Sequence, residues 1–269
     1  MLVTSDRPPV IAADSVDVVL HGVPIIRGAS LTVQPGELVA IMGNNGSGKT
    51  TLLRALLGLV PHRGSIELFG TPLNTFQDWR SIGYVPQRSS INVQQATVRE
   101  VVASGRLGRR RPFVPETHAD RTAINAGLEE VGLIDRAKNP FVRLSGGQQQ
   151  RVLIARAIAT GADLMLWDEP LAGVDHATQQ LLAKVAGNLK AAGRTTVMVL
   201  HELGAFRALI DRSIVLVDGR VMPPGYRHHE HDHDHSDHDH DDHDHRAAHG
   251  GHEVDELPRP HLHRTGLEA

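Results

Sequence analysis

Cysteine is absent from all 269 residues, which excludes disulfides and thiolate metal sites and points to a reducing compartment. No run approaches the roughly 18 consecutive apolar residues of a membrane-spanning helix, so any work at a membrane has to pass through partners. Residues 1–14 have neither the basic start nor the apolar stretch of a secretion signal, and the expected location is intracellular. There is no long heptad pattern and no internal repeat. What is present, 40% hydrophobic and 22% charged residues, is enough for an ordinary core in one large domain or two modest ones.

The formal net charge of −3 conceals a split. Residues 228–269 hold 3 Lys and Arg against 12 Asp and Glu, whereas residues 1–227 hold 25 against 19. The positive balance of that body is too small to argue for nucleic acid. Histidine is split the same way, with 13 of 18 in residues 228–269. Residues 228–245 contain nine histidines (His228, His229, His231, His233, His235, His238, His240, His243 and His245), eight acidic residues and one serine. With no apolar residue, this stretch cannot offset the entropy of ordering itself, so the expectation is a globular domain over 1–226 and a disordered tail over 227–269.

Within the body, short β-rich runs alternate with helical patterns, which predicts an α/β fold with a mostly parallel core sheet. Residues 31–33, 38–42, 65–69, 82–85, 164–167, 195–200 and 213–217 read as strands. Residues 49–57 and 176–192 read as helices, with Gly58 a C-terminal cap of the first. A helical insertion spans about 88–160, broken by the basic, proline-containing stretch 109–115.

Gly43-Asn44-Asn45-Gly46-Ser47-Gly48-Lys49-Thr50 matches the phosphate-loop pattern G-x-x-x-x-G-K-[ST], between a predicted strand and a predicted helix. Glycines let backbone N–H groups turn inward around phosphates, and the helix start adds positive potential. Lys49 is placed to reach the β- and γ-phosphates, and the Thr50 hydroxyl to ligate Mg²⁺. The predicted strand 164–167 runs into Asp168 and Glu169. A carboxylate at such a strand end holds Mg²⁺ in P-loop folds, the role that suits Asp168, and Glu169 could then polarise the attacking water.

Leu144-Ser145-Gly146-Gly147-Gln148-Gln149-Gln150-Arg151 can start a helix at about Gly147, with Ser145 as its cap and two glycines leaving N–H groups open to an anion. The string resembles the signature motif of ATP-binding cassette (ABC) ATPases. Other positions fall into that family's order over about residues 14–222: Gln87 resembles the Q-loop glutamine, Asp175 the D-loop aspartate and His201 the switch histidine. The resemblance implies an antiparallel β subdomain beside the parallel core, and ATP and Mg²⁺ as cofactors. It implies Glu169, His201 and Gln87 as catalytic residues, and Thr50, Gln87 and Asp168 around Mg²⁺. Residues 43–50 with Thr51 would hold nucleotide, and Ser145, Gly146, Gly147, Gln148 and Asp175 would complete the site of a facing cassette in a head-to-tail homodimer or heterodimer, the homodimer being the expected form. Where the family often stacks adenine on an aromatic ring, this chain has Leu20 and His21. Either Leu20 packs on adenine or His21 stacks on it.

Residues 83–106 resemble the ATPases of zinc-, manganese- and iron-type importers. That likeness implies an integral membrane permease as partner, an extracytoplasmic metal-binding protein acting through it, and a peripheral place on the cytoplasmic membrane face. Alternating His and carboxylate in the tail suits Zn²⁺, Ni²⁺, Co²⁺ or Cu²⁺. Zinc is the leading expectation, for the tail and as cargo, with manganese or iron-type import as the alternative. A P-loop metallochaperone with a His-rich metal store is a second alternative, but a guanine-reading N-K-x-D motif is missing.

Overall fold

The structure, a computed structural model, describes residues 8–87, 95–110 and 114–226. The tail with its nine clustered histidines, and residues 88–94, lie outside the described residues. Among those described, no helix is long and apolar enough to cross a membrane.

Two sheets carry the body. The first is antiparallel, in the order β2-β1-β4-β5, from β1 (Ile11–Leu20), β2 (Val23–Val33), β4 (Arg63–Leu68) and β5 (Thr71–Pro72). The second has the order β10-β9-β3-β8-β7-β6. Its strands β3 (Leu38–Met42), β6 (Ile82–Val85), β7 (Leu164–Asp168), β8 (Thr195–Val199) and β9 (Arg212–Val217) are parallel, and β10 (Arg220–Val221) is an antiparallel edge. Strands β3, β7 and β8 are buried along their whole length, as continuous apolar runs between covered faces should be.

Two cores form on opposite faces of the parallel sheet. Leu164 and Leu166 of β7 join one with α1 (Lys49–Leu56) and the antiparallel sheet. Met165 and Trp167 join the other, with α2 (Val98–Ser104), α3 (His118–Glu130), α4 (Gly146–Ala159) and α5 (His176–Ala191). Asp168 follows the same alternation and therefore points to the α1 side, where the phosphate loop begins its helix.

The parallel strands and helices expected from sequence are present within a residue or two. The antiparallel sheet is larger than expected, since β2 starts at Val23 rather than Leu31 and β1 carried no recognisable strand signal. Its register slips at three places between Ala13 and Val19, and Ser15 sits at φ 52, so the apolar residues lose the strict alternation that marks a strand. Gly58, at φ 67 with its N–H on the Ala55 carbonyl, ends α1 as anticipated.

Candidate active site

The phosphate loop hangs from β3, which lies between β8 and β9. Its glycines are required sterically. A Cβ on Gly43 would lie 2.2 Å from the Leu216 carbonyl oxygen, and one on Gly48, at φ 99, would lie 2.7 Å from Ile26 Cδ1. Helix α1 starts at Lys49, so the N–H groups of Lys49, Thr50 and Thr51 belong to its first turn and lack partners within the helix. A cavity of about 280 Å³ opens over them, lined by Asn45, Gly46, Lys49, Thr51, Glu169 and Ile25. A larger hollow of about 510 Å³ lies on the antiparallel sheet around Asp14, Thr32 and Glu67, away from the motif residues and with no Lys or Arg among its lining residues.

Lys49 is buried, and its ammonium donates to the carbonyls of Gly43 at 2.8 Å and Asn44 at 2.9 Å. Burial pushes its pKa down, and the carboxylates of Glu169 and Asp168 oppose that shift. Asp168 is fully buried, and its Oδ1 accepts from the Thr50 hydroxyl at 2.7 Å. Burial pushes its pKa up, while the Thr50 hydrogen bond and the Arg54 charge pull it back. A buried carboxylate touching a hydroxyl, at the mouth of a ring of N–H donors, supplies the hard oxygen donors that Mg²⁺ selects in phosphate sites. The residues present fit that ion.

Glu169 follows β7 with φ 49, a left-handed conformation costly for a side chain with a Cβ. The turn aims its carboxylate back across the site. Oε2 accepts from Gln87 Nε2 at 2.8 Å, and Oε1 lies 3.3 Å from His201 Nε2. Gln87 follows β6 and His201 follows β8, so three successive strands of the sheet each deliver one residue to this point. Lys49, Thr50, Asp168, Glu169, Gln87 and His201 are thus brought together.

The signature residues are elsewhere. Ser145 caps α4, which starts at Gly146, one residue earlier than expected. Its hydroxyl takes the Gln148 N–H at 3.3 Å while Gln148 Oε1 takes the Ser145 N–H at 3.1 Å, a reciprocal capping box. Asp175 caps α5, accepting from the Thr178 N–H at 2.7 Å. The two helix starts adjoin, since a Cβ on Gly147 would meet Thr178 Oγ1 at 3.3 Å. None of Ser145, Gly146, Gly147, Gln148 and Asp175 lines the cavity over Lys49. Leu20 and His21 sit at the β1–β2 turn, Leu20 half-buried and His21 exposed at φ 50.

Three neighbours of the site carried no motif. Ile25 forms an apolar wall of the cavity, Tyr84 donates its hydroxyl to Asp168 Oδ2 at 3.3 Å, and Arg54 lies close enough to influence both. Tyr84 could have been suspected from strand alternation, because it shares a face with the α1-side core.

A phosphate loop facing a strand-end carboxylate pair, on a mixed sheet with a helical side, defines a nucleotide-binding α/β cassette. The family model described as ABC transporter matches residues 26–172, and this chain belongs to that family and is an ABC ATPase. The manganese transport system ATP-binding protein MntB of Bacillus subtilis is 41% identical over 206 residues, covering 76% of this chain and 81% of that protein. The zinc transport system ATP-binding protein TroB of Treponema pallidum is 36% identical over 204 residues, covering 75% and 76%. A phosphonates import ATP-binding protein, PhnC 2 of a Nostoc species, is 38% identical over 210 residues, covering 75% and 86%. Among solved structures, a dimeric bacterial ABC transporter cassette superposes with a TM-score of 0.72 at 28% identity, covering 79% of this chain and 97% of that one.

Proposed function

We propose that this chain is the ATP-hydrolysing subunit of an importer for a divalent transition metal, with zinc as cargo, driving a separate membrane permease. The arrangement around Glu169 carries the catalytic part. A carboxylate turned by a strained backbone onto Gln87 and His201, beside the Asp168–Thr50 pair, has the geometry of a base aimed at a γ-phosphate.

In this reading Lys49 and the N–H groups of Gly46 to Thr51 bind the phosphates, and Thr50, Asp168 and Gln87 would hold Mg²⁺. Mg²⁺ supplies neutralisation of phosphate charge. Glu169 takes the proton of the attacking water, and His201 contacts the γ-phosphate. Asn44, Asn45 and Ser47 complete the loop, Ile25 offers an apolar wall to the cavity, and Leu20 and His21 are the two candidates for adenine. A second copy, docked head to tail, brings Ser145, Gly146, Gly147, Gln148 and Asp175 onto the same ATP, and the similar cassette that is a dimer supports a two-copy assembly. The helix start capped by Ser145 suits that role because its N–H groups face an anion well.

Relatives named for manganese and zinc transport support metal import, while the equally similar phosphonate protein means that overall identity does not choose the cargo. Zinc rests on the tail. Nine histidines in 18 residues offer borderline nitrogen ligands that suit Zn²⁺ better than the oxygen-preferring Mn²⁺. Family membership leaves the metallochaperone alternative without support. We place the permease on residues 88–112, next to Gln87, with an extracytoplasmic metal-binding protein feeding it and this subunit on the cytoplasmic membrane face. The test is ATP-driven uptake of radioactive Zn²⁺ and Mn²⁺ into vesicles holding the full chain with its permease. Zn²⁺ uptake that Mn²⁺ competes with poorly is the expected result. Mn²⁺ uptake indifferent to Zn²⁺ would reassign the cargo, and no ATP-dependent metal uptake would remove metal import.

A further inference from the structure

Asp168 needs two partners, because a fully buried carboxylate with an idle oxygen loses most of its hydration without replacement. Thr50 serves Oδ1 at 2.7 Å and can keep doing so while a lone pair of its own oxygen turns to a metal. Oδ2 is served by the Tyr84 hydroxyl at 3.3 Å. The two contacts pin the carboxylate against rotation from opposite sides.

Tyr84 is itself held. Its strand β6 pairs with β7 so that Tyr84 stands opposite Leu166, two residues before Asp168 and on the same face. Arg54, one helical turn after Thr50 on α1, lies beside both the phenol and the carboxylate. The main-chain carbonyl of Tyr84 accepts from Arg156 Nη2 at 3.2 Å, and Arg156 belongs to α4, the helix that begins at the signature residues. One residue therefore touches the Mg²⁺ carboxylate through its side chain and the signature helix through its backbone, three positions before Gln87.

We propose that Tyr84, backed by Arg54, is a positioning residue that fixes the Asp168 carboxylate for Mg²⁺ and ties that orientation to α4. The proposal rests on Asp168 as the Mg²⁺ carboxylate. It requires no contact between Tyr84 and nucleotide.

The test uses the full chain with Tyr84→Phe and, separately, Arg54→Gln. Tyr84→Phe preserves shape and removes one hydrogen bond to a charged group, so the Mg²⁺ concentration for half-maximal ATP hydrolysis should rise about 3- to 10-fold. The KM for ATP at saturating Mg²⁺ should not move. A readout independent of turnover is Mn²⁺ binding followed by electron paramagnetic resonance, taken as the difference with and without ADP so that binding by the tail cancels. That affinity should fall by the same factor in Tyr84→Phe, and by less in Arg54→Gln. A lowered melting temperature with unchanged ADP-dependent Mn²⁺ affinity in both variants would make Tyr84 a scaffold residue only and overturn the proposal. Should Tyr84→Phe fail to fold, Arg54→Gln alone decides by the same measurement. Glu169→Gln provides the separation from the catalytic reading, because it should abolish turnover while leaving Mn²⁺ affinity intact. If it hydrolyses normally, the role of Glu169 falls and the Tyr84 result still stands.

Discussion

Replacing Glu169 with glutamine removes a base while keeping its surroundings. Glu169 Oε2 takes the Gln87 amide at 2.8 Å and Oε1 lies 3.3 Å from His201 Nε2. A glutamine can still offer its oxygen to Gln87 and its amide to the imidazole, so the turn at φ 49 and its neighbours should persist. What disappears is the capacity to accept a proton from water. Base catalysis of this kind contributes about 10²- to 10⁴-fold, or about 3–5 kcal/mol of barrier, and kcat should fall by that factor. Nucleotide affinity should hold or improve, because the carboxylate also adds negative charge to a site meant for phosphate. Phosphate release and equilibrium ATP binding measure the two separately, and light scattering should detect an ATP-trapped dimer. Wild-type turnover in the variant would refute the assignment, and lost ATP binding would make the carboxylate a structural element instead.

Other perturbations reach different parts of the molecule. Asp120 accepts from the Thr117 N–H and hydroxyl and from Arg106, which hold its pKa at about 2. Its folded pKa lies below the unfolded value of about 3.9, so its stabilisation is full above pH 4 and is lost as pH falls towards 2. Asp120→Asn should therefore be less stable than wild type at pH 7, with the gap closing across that window in denaturant titrations. Phe206, fully buried and edge-on to Trp167 at 6.5 Å, anchors the segment that follows His201. Phe206→Ala should cost about 3–5 kcal/mol in denaturant unfolding, and a loss below 1 kcal/mol would contradict that packing. Zn²⁺ titration should show several modest sites in the full chain, lost in a version ending at Arg227 and weakening below the imidazole pKa of roughly 6.5. Equal binding by both versions would remove the metal-binding tail.

Much of the site was legible because its chemistry is written in short local strings. Gly43 to Thr50, Asp168 with Glu169, and Ser145 to Gln148 each carry a backbone geometry that their own residues impose. Tyr84, Arg54 and Ile25 could not be read this way. Tyr84 meets Asp168 only because β6 pairs with β7 across some 80 residues of chain, and Ile25 reaches the cavity only because β2 runs under Gly48. The left-handed turn at Glu169 has no residue signature, since glutamate rarely adopts it. In the fold, the parallel strands announced themselves as apolar runs, whereas β1 hid behind its bulges. Ser145 as a cap was readable from its type, but the helix started one residue early because the capping box with Gln148 counts from the cap.

In the proposed dimer ATP is bound and hydrolysed between two copies of this chain, the phosphate loop of one facing the signature residues of the other. The absence of native cysteine allows a direct measurement. Asn45→Cys in one copy and Gly146→Cys in another, both carrying Glu169→Gln to retain ATP, are mixed and treated with a short bis-maleimide. The expected result is a covalent dimer that forms with Mg²⁺ and ATP and drops to the nucleotide-free level when Lys49→Ala is added to both copies. A cross-link indifferent to ATP and to Lys49, or none at all with ATP bound, would contradict it.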